Sequence, residues 1–184
     1  MGGSVQQRAA ARGAEQAMVA AKIALPDPAA TEAAGARLGP ALAGGMVVTL
    51  SGELGSGKTT LVRGVLRSLG WQRAVKSPTF TVVESYSLSS LYFYHFDFYR
   101  FADPEEWETA GLADCFRDDA VCVIEWPERV GDLLPPADLA ITLAHPAQPG
   151  ADDGREAALE ARTARGERCL RAMTAGTVAP APDA

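Results

Sequence analysis

Gly52-Glu53-Leu54-Gly55-Ser56-Gly57-Lys58-Thr59 follows the spacing Gly-x-x-x-x-Gly-Lys-Thr without a mismatch, and that spacing belongs to loops that hold phosphate. Glycines let a backbone fold closely around an anion. The amide N–H groups of a first helical turn have no intrahelical partners, so they point at the anion with the positive end of the helix dipole behind them. In such a loop the lysine reaches the β- and γ-phosphates and the next hydroxyl ligates Mg²⁺, which gives Lys58 and Thr59 those tasks. Of the 17 lysines and arginines only Lys22, Lys58 and Lys76 are lysines, so a residue type this chain otherwise avoids stands at the phosphate position.

Binding a nucleotide is one task; hydrolysing it needs a metal and an ordered water, held by acids at the ends of neighbouring strands. Glu125 closes the apolar run Val121-Cys122-Val123-Ile124, so a strand from the sheet interior delivers its carboxylate to the edge where the phosphate loop lies. Asp97, near the end of the run Leu91 to Tyr99, delivers a second. Either acid can hold Mg²⁺ through water, because that ion keeps much of its hydration shell. The plain alternatives are a solvent-facing acid at Glu125 and a surface ion pair of Asp97 with Arg100. The sequence leaves open which acid serves the metal and which orients the attacking water.

Thr79 stands in the loop Lys76-Ser77-Pro78-Thr79-Phe80 that follows the phosphate-loop helix, where a nucleotide-sensing switch often sits; the alternative is a strand-initiating threonine. Trp126, directly after Glu125, is either core packing or an exposed anchor for a partner. His95, amid aromatic neighbours, reads as a structural histidine rather than a catalyst.

These residues need elements to carry them. Met46-Val47-Val48-Thr49-Leu50 is a strand of apolar, β-branched character before the glycine loop, and Leu61, Val65, Leu66 and Leu69 have helical spacing after it. Ala29 to Ala43 reads as a preceding helix with Thr31 in its first turn, ended by Gly44-Gly45. Thr79 to Tyr86 and Leu91 to Tyr99, separated by Ser87-Leu88-Ser89-Ser90, read as an antiparallel hairpin. Asp103-Pro104-Glu105-Glu106 begins a helix with a capping aspartate and proline at its first position. Strands at 139–143 and 155–162 and a short helix at 167–173 follow. The expected fold class is α/β: a single domain of P-loop NTPase type over 25–173, its mixed central sheet carrying an antiparallel hairpin and flanked by helices. Residues 1–24 are expected as a flexible leader and 174–184 as a disordered tail.

Composition narrows the function. The chain of 184 residues is 47% hydrophobic and 22% charged, as in an ordinary globular protein, and it has no run of about 18 apolar residues that would span a membrane. Cys115, Cys122 and Cys169 lack C-x-x-C spacing and fit reduced thiols in a cytoplasmic protein rather than a zinc site. The net charge of −6 argues against a protein that grips nucleic acid by itself, so any RNA in its biology arrives through a partner.

Four ordered motifs, Gly-Glu-Leu-Gly-Ser-Gly-Lys-Thr-Thr, Lys-Ser-Pro-Thr-Phe, Tyr-His-Phe-Asp-Phe-Tyr-Arg and Val-Ile-Glu-Trp-Pro-Glu, make the chain from Leu25 to Met173 resemble the bacterial TsaE (YjeE) family. That resemblance implies an Mg²⁺-dependent ATPase of tRNA threonylcarbamoyladenosine biosynthesis that works with TsaD and TsaB proteins and does not itself transfer the threonylcarbamoyl group. It implies that Lys58 and Thr59 hold phosphate and Mg²⁺ within a nucleotide site that also includes Glu53, Leu54, Gly55, Ser56, Gly57 and Thr60. It further implies that Asp97 and Glu125 serve the metal and hydrolysis, that Thr79 belongs to a switch loop, and that Trp126 is functional. Thr31 is placed near the adenine and Arg155 near the nucleotide by the same likeness. A small-molecule kinase is the rival enzyme, although no arginine-bearing lid is visible; a nucleotide-gated binding module without turnover is the rival outside enzymes.

Overall fold

A computed structural model describes residues 19–89, 91–104, 106–146 and 154–175. The expectations for residues 1–18 of the leader and for 176–184 of the tail lie outside these.

Seven strands form one sheet: β1 (Val19–Leu25), β2 (Val47–Ser51), β3 (Val83–Ser87), β4 (Tyr92–Asp97), β5 (Ala120–Glu125), β6 (Leu139–Ala144) and β7 (Arg155–Ala161), in the order β1-β7-β6-β2-β5-β4-β3. The four central strands β6, β2, β5 and β4 run parallel; β7 at one side and β3 at the other run against them, and the edge strand β1, antiparallel to β7, runs with the central four. The helices are α1 (Pro28–Leu38), α2 (Lys58–Ser68), α3 (Glu106–Thr109) and α4 (Ala164–Thr174).

Alternation along the central strands sorts the core into two. On one face Val48, Leu50, Val121, Val123 and Phe93 pack under α1, α2 and α4 with Leu61, Val65 and Leu66. On the other, Val47, Cys122, Ile124 and Phe96 meet Phe98, Trp107 and Leu112. Side chains two apart share a face, so His95 and Asp97 follow Phe93, and Glu125 follows Val123, toward the α2 side.

α1 presses against α2 at glycines. A Cβ on Gly35 would lie 2.1 Å from the Leu61 carbonyl oxygen, and one on Gly64 1.9 Å from that of Glu32. This close approach seats α1 directly behind the glycine loop.

Several element boundaries differ from the sequence reading. Residues 19–24, expected in a flexible leader, form most of β1, which pairs along its whole length with β7 and buries Ile23 and Leu25. α1 ends at Leu38 and passes into a 3₁₀ turn at Gly39–Ala41, since Pro40 cannot donate to the helix ladder; its start is set by Asp27, whose Oδ1 accepts from Ala30 N at 2.7 Å. β3 begins at Val83, because Val82 takes a left-handed φ of 67° and breaks the extended run. The helix expected from Asp103 is only Glu106–Thr109, followed by a 3₁₀ turn at Leu112–Cys115. α4 starts earlier than read, at Ala164, with the Thr163 hydroxyl accepting from Gly166 N and donating to the buried Asp138 carboxylate.

Candidate active site

The carboxyl ends of β2, β4 and β5 and the amino end of α2 converge on one cleft, lined by Leu54 to Thr60 together with Ser77, Thr79, Asp97, Tyr99, Glu125 and Trp126. A crevice at the carboxyl ends of parallel strands is where open α/β sheets bind ligands. β2 leads into the loop at Gly52, whose φ of 134° favours glycine and whose Cβ would sit 2.2 Å from the Leu143 carbonyl oxygen of β6. Gly57, at φ 100°, caps α2 and leaves the first-turn amides facing the cleft.

Lys58 is 4% exposed. Its ammonium donates to Gly52 O at 2.6 Å, Glu53 O at 2.9 Å and Ser56 Oγ at 3.4 Å, which uses the three donors an ammonium has. The Trp126 ring lies 4.1 Å away, in cation–π range. Burial pushes Lys58 below its ordinary pKa, and the charges of Glu125, Asp97 and Glu128 oppose that shift without reversing it.

Thr59 and the two acids meet at the loop's other side. Thr59 Oγ1 donates to Glu125 Oε1 at 2.9 Å, and His95 Nε2 lies 2.8 Å from the same oxygen. Glu125 and His95 are both buried, at 3% and 0% exposure. Asp97 is paired in register with Glu125 across β4 and β5, yet its oxygens are engaged differently. Its Oδ2 accepts from Thr79 Oγ1 at 2.8 Å and from Ser77 Oγ, and its Oδ1 accepts from Tyr99 N at 2.9 Å. The loop 77–79 is therefore tied to Asp97 by its hydroxyls.

Trp126 has φ 60°, a value uncommon for a bulky residue and one that surrounding structure must hold. Its amide donates to Leu50 O at 3.1 Å and its ring packs 5.0 Å from Tyr99. That turn swings the indole from the sheet end over the phosphate loop.

Of the residues singled out in the sequence, Leu54, Gly55, Ser56, Gly57, Lys58, Thr59, Thr60, Thr79, Asp97, Glu125 and Trp126 come together in the cleft. Glu53 contributes its carbonyl to Lys58 while its side chain is exposed. Arg155, at the start of β7, donates to Gly55 O at 3.1 Å and braces the loop from outside the lining. Thr31 does not line the cleft: it is 2% exposed, packs behind Gly57 and spends its hydroxyl on Asp27 O at 3.3 Å. Ser77 and Tyr99 join the cleft with no signal in the sequence, and His95, structural by its aromatic neighbours, bonds Glu125 beside it. The available signal for His95 was its place two residues before Asp97 on one strand, hence on the same face.

The oxygen donors here, a hydroxyl and carboxylates, suit a hard cation such as Mg²⁺, and Glu125 Oε2 takes no hydrogen bond among the described residues. Among those residues no group of three or more His, Cys, Asp or Glu is arranged to hold a metal by itself. No helix among the described residues is long and apolar enough to cross a membrane.

Residues 25–155 match the family described as threonylcarbamoyl adenosine biosynthesis protein TsaE. The tRNA threonylcarbamoyladenosine biosynthesis protein TsaE of Haemophilus influenzae is 44% identical over 129 residues, covering 70% of this chain and 78% of that protein. Its namesake in Bacillus subtilis is 41% identical over 112 residues, 61% of this chain and 67% of that one. The crystal structure of Bacillus subtilis YdiB superposes with a TM-score of 0.69 at 32% identity, covering 87% of this chain and 97% of its own. With the glycine loop between β2 and α2, these likenesses bear out the expected class: an α/β fold of P-loop NTPase type with a mixed sheet and an antiparallel hairpin.

Proposed function

This chain belongs to the TsaE family, and from that premise we propose that it is an accessory ATPase in the biosynthesis of threonylcarbamoyladenosine on tRNA. It binds ATP with Mg²⁺ and hydrolyses it slowly. It acts in the cytoplasm with TsaD and TsaB proteins, meets tRNA only through that complex, and does not transfer the threonylcarbamoyl group. The net charge of −6 supports indirect contact with RNA.

The observation that carries this reading is the Thr59 hydroxyl bonded to the buried Glu125 carboxylate at the mouth of the glycine loop. Phosphate-loop enzymes need a hydroxyl and a strand-end acid together at this point. In the proposed cycle the Lys58 ammonium turns from the loop carbonyls to the β- and γ-phosphate oxygens, and the amides of residues 55–59 enclose the triphosphate. Mg²⁺, when bound, neutralises charge building on those phosphates. Thr59 and Glu125 would hold it and Asp97 would serve it through water, while the loop tied to Asp97 would present Thr79 to the phosphate end of the cleft. Trp126 shields Lys58 from water, which strengthens its pull on phosphate. Arg155 steadies the loop at Gly55, and Thr31 backs Gly57 from α1.

The test is reconstitution of tRNA threonylcarbamoylation with TsaD and TsaB, with and without this chain, scoring repeated rounds rather than one. Repeated rounds of modification are expected only when the chain and hydrolysable ATP are both present. Equal multiple turnover without the chain would refute the assignment.

A further inference from the structure

We propose that His95 is a positioning residue for Glu125, an inference that rests on the reading of this cleft as an Mg²⁺–nucleotide site. His95 belongs to β4 and lies wholly inside the protein, with Nε2 2.8 Å from Glu125 Oε1. That oxygen also accepts from Thr59 at 2.9 Å, so two donors fix it while Oε2 stays available to the cleft. The imidazole's other nitrogen, Nδ1, is buried with no hydrogen-bond partner among the described residues.

This asymmetry decides which nitrogen carries the hydrogen. A carboxylate oxygen can only accept, so Nε2 donates, while Nδ1 has no acceptor to receive a hydrogen of its own. The opposite tautomer would set two acceptors against each other at 2.8 Å and strand an N–H in the core, where orphaned donors are rarer than under-satisfied acceptors. His95 therefore holds the carboxylate from behind, from the neighbouring strand, in the way outer-shell partners orient metal-ligating groups. Without it, Glu125 keeps only the Thr59 hydroxyl, whose own oxygen must also face the metal, and both carboxylate oxygens become free to swing.

The test pairs two polar substitutions that differ in where the amide sits. Gln places its NH₂ near the position of Nε2, and Asn places it near Nδ1, away from Glu125. ATP affinity is measured on the full chain with and without Mg²⁺, alongside turnover. His95→Asn is expected to weaken the Mg²⁺ dependence of binding and to lower turnover by about 10- to 100-fold, leaving metal-free ATP affinity within about threefold, and His95→Gln is expected to recover most of the loss. ¹⁵N spectra of the imidazoles, of which the chain has two, report the protein alone and should show the Nε2–H tautomer for His95. Equal behaviour of the Asn and Gln variants, or an Nδ1–H tautomer, would overturn the inference. A wild-type chain whose ATP binding ignores Mg²⁺ would instead overturn the reading of the site on which it rests.

Discussion

Asp97 and Glu125 face each other across β4 and β5 as register partners, and both are buried at 3% exposure. Their similar positions conceal different attachments. Asp97 accepts hydrogen bonds on both oxygens, from Ser77, Thr79 and the Tyr99 amide, whereas Glu125 gathers its two donors on Oε1. One acid is tied to a loop and the other keeps an oxygen for the cleft, so substitutions at the two should fail in different ways.

For Glu125→Ala we expect ATP turnover to fall by on the order of 10²-fold or more and the Mg²⁺ enhancement of binding to be lost, while metal-free ATP affinity changes little, because the loop amides and Lys58 still face the phosphates. Single-turnover kinetics beside equilibrium binding measure the two effects separately. Turnover equal to wild type would reassign Glu125 to structure.

For Asp97→Ala the expected first effect is on the loop. A hydrogen bond to a charged group contributes about 1.5–3 kcal/mol, so loss of the anchor should raise local opening and amide exchange around Val82 by about 10- to 100-fold. The Val82 amide, bonded to Pro78 O at 2.6 Å, is the reporter. Unchanged exchange there, read by mass spectrometry, would contradict the tie.

Lys58 carries a pH signature. Burial lowers its pKa from the ordinary 10.5 in the folded protein, so between that lowered value and 10.5 the unfolded chain binds a proton that the folded chain has released. Stability of the protein alone should therefore rise with pH through that window. Nucleotide affinity should move the opposite way, falling through the same window because phosphate needs the charged ammonium. Lys58→Met should show neither trend in stability and affinity titrations; a trend that survives this substitution belongs to another group.

Gly64→Ala tests the seat of the glycine loop. Alanine is the better helix former by about 1 kcal/mol, but its Cβ would fall 1.9 Å from the Glu32 carbonyl oxygen, a backbone atom that can yield only if α1 moves. Overpacking should win, with a net loss of about 1–3 kcal/mol and a urea midpoint lowered by about 1 M at unchanged slope. A stabilised variant would mean that the two helices are not held this closely.

Local chemistry was legible in the sequence where one short segment decides it. The glycine loop, the strand before it and the helix after it are specified by residues 46–69 alone. Glu125 followed from an apolar run and its last residue, and both needed only the rule that a strand end faces the ligand edge. What remained hidden depends on distant segments. β1 is alanine-rich and has weak strand preference of its own; it exists because β7 offers a matching edge and two buried sites for Ile23 and Leu25. The helix expected at Asp103 has good start signals, yet it ends after one turn, where Gly111 takes a left-handed φ of 66° and leads into the 3₁₀ turn, with Trp107 packed against Phe96, Phe98 and Phe116. Thr31, which the resemblance places near the adenine, packs behind Gly57, and the direction of its hydroxyl is set by the first turn of α1. His95 was visible as a residue and not as a partner, since its meaning depends on the side chain of the neighbouring strand.

In the proposed site residues 52–59 grip the triphosphate of ATP, with Thr59 and Glu125 at its magnesium. Calorimetric titration of ATP into the full chain, with Mg²⁺ present and absent, and again for Lys58→Ala, tests it most directly. Saturable one-to-one binding that Mg²⁺ strengthens and Lys58→Ala loses by about 100-fold or more is expected, given about 1.4 kcal/mol per tenfold and the charged contacts at stake. Absent binding, or binding that neither Mg²⁺ nor the substitution alters, would contradict the account.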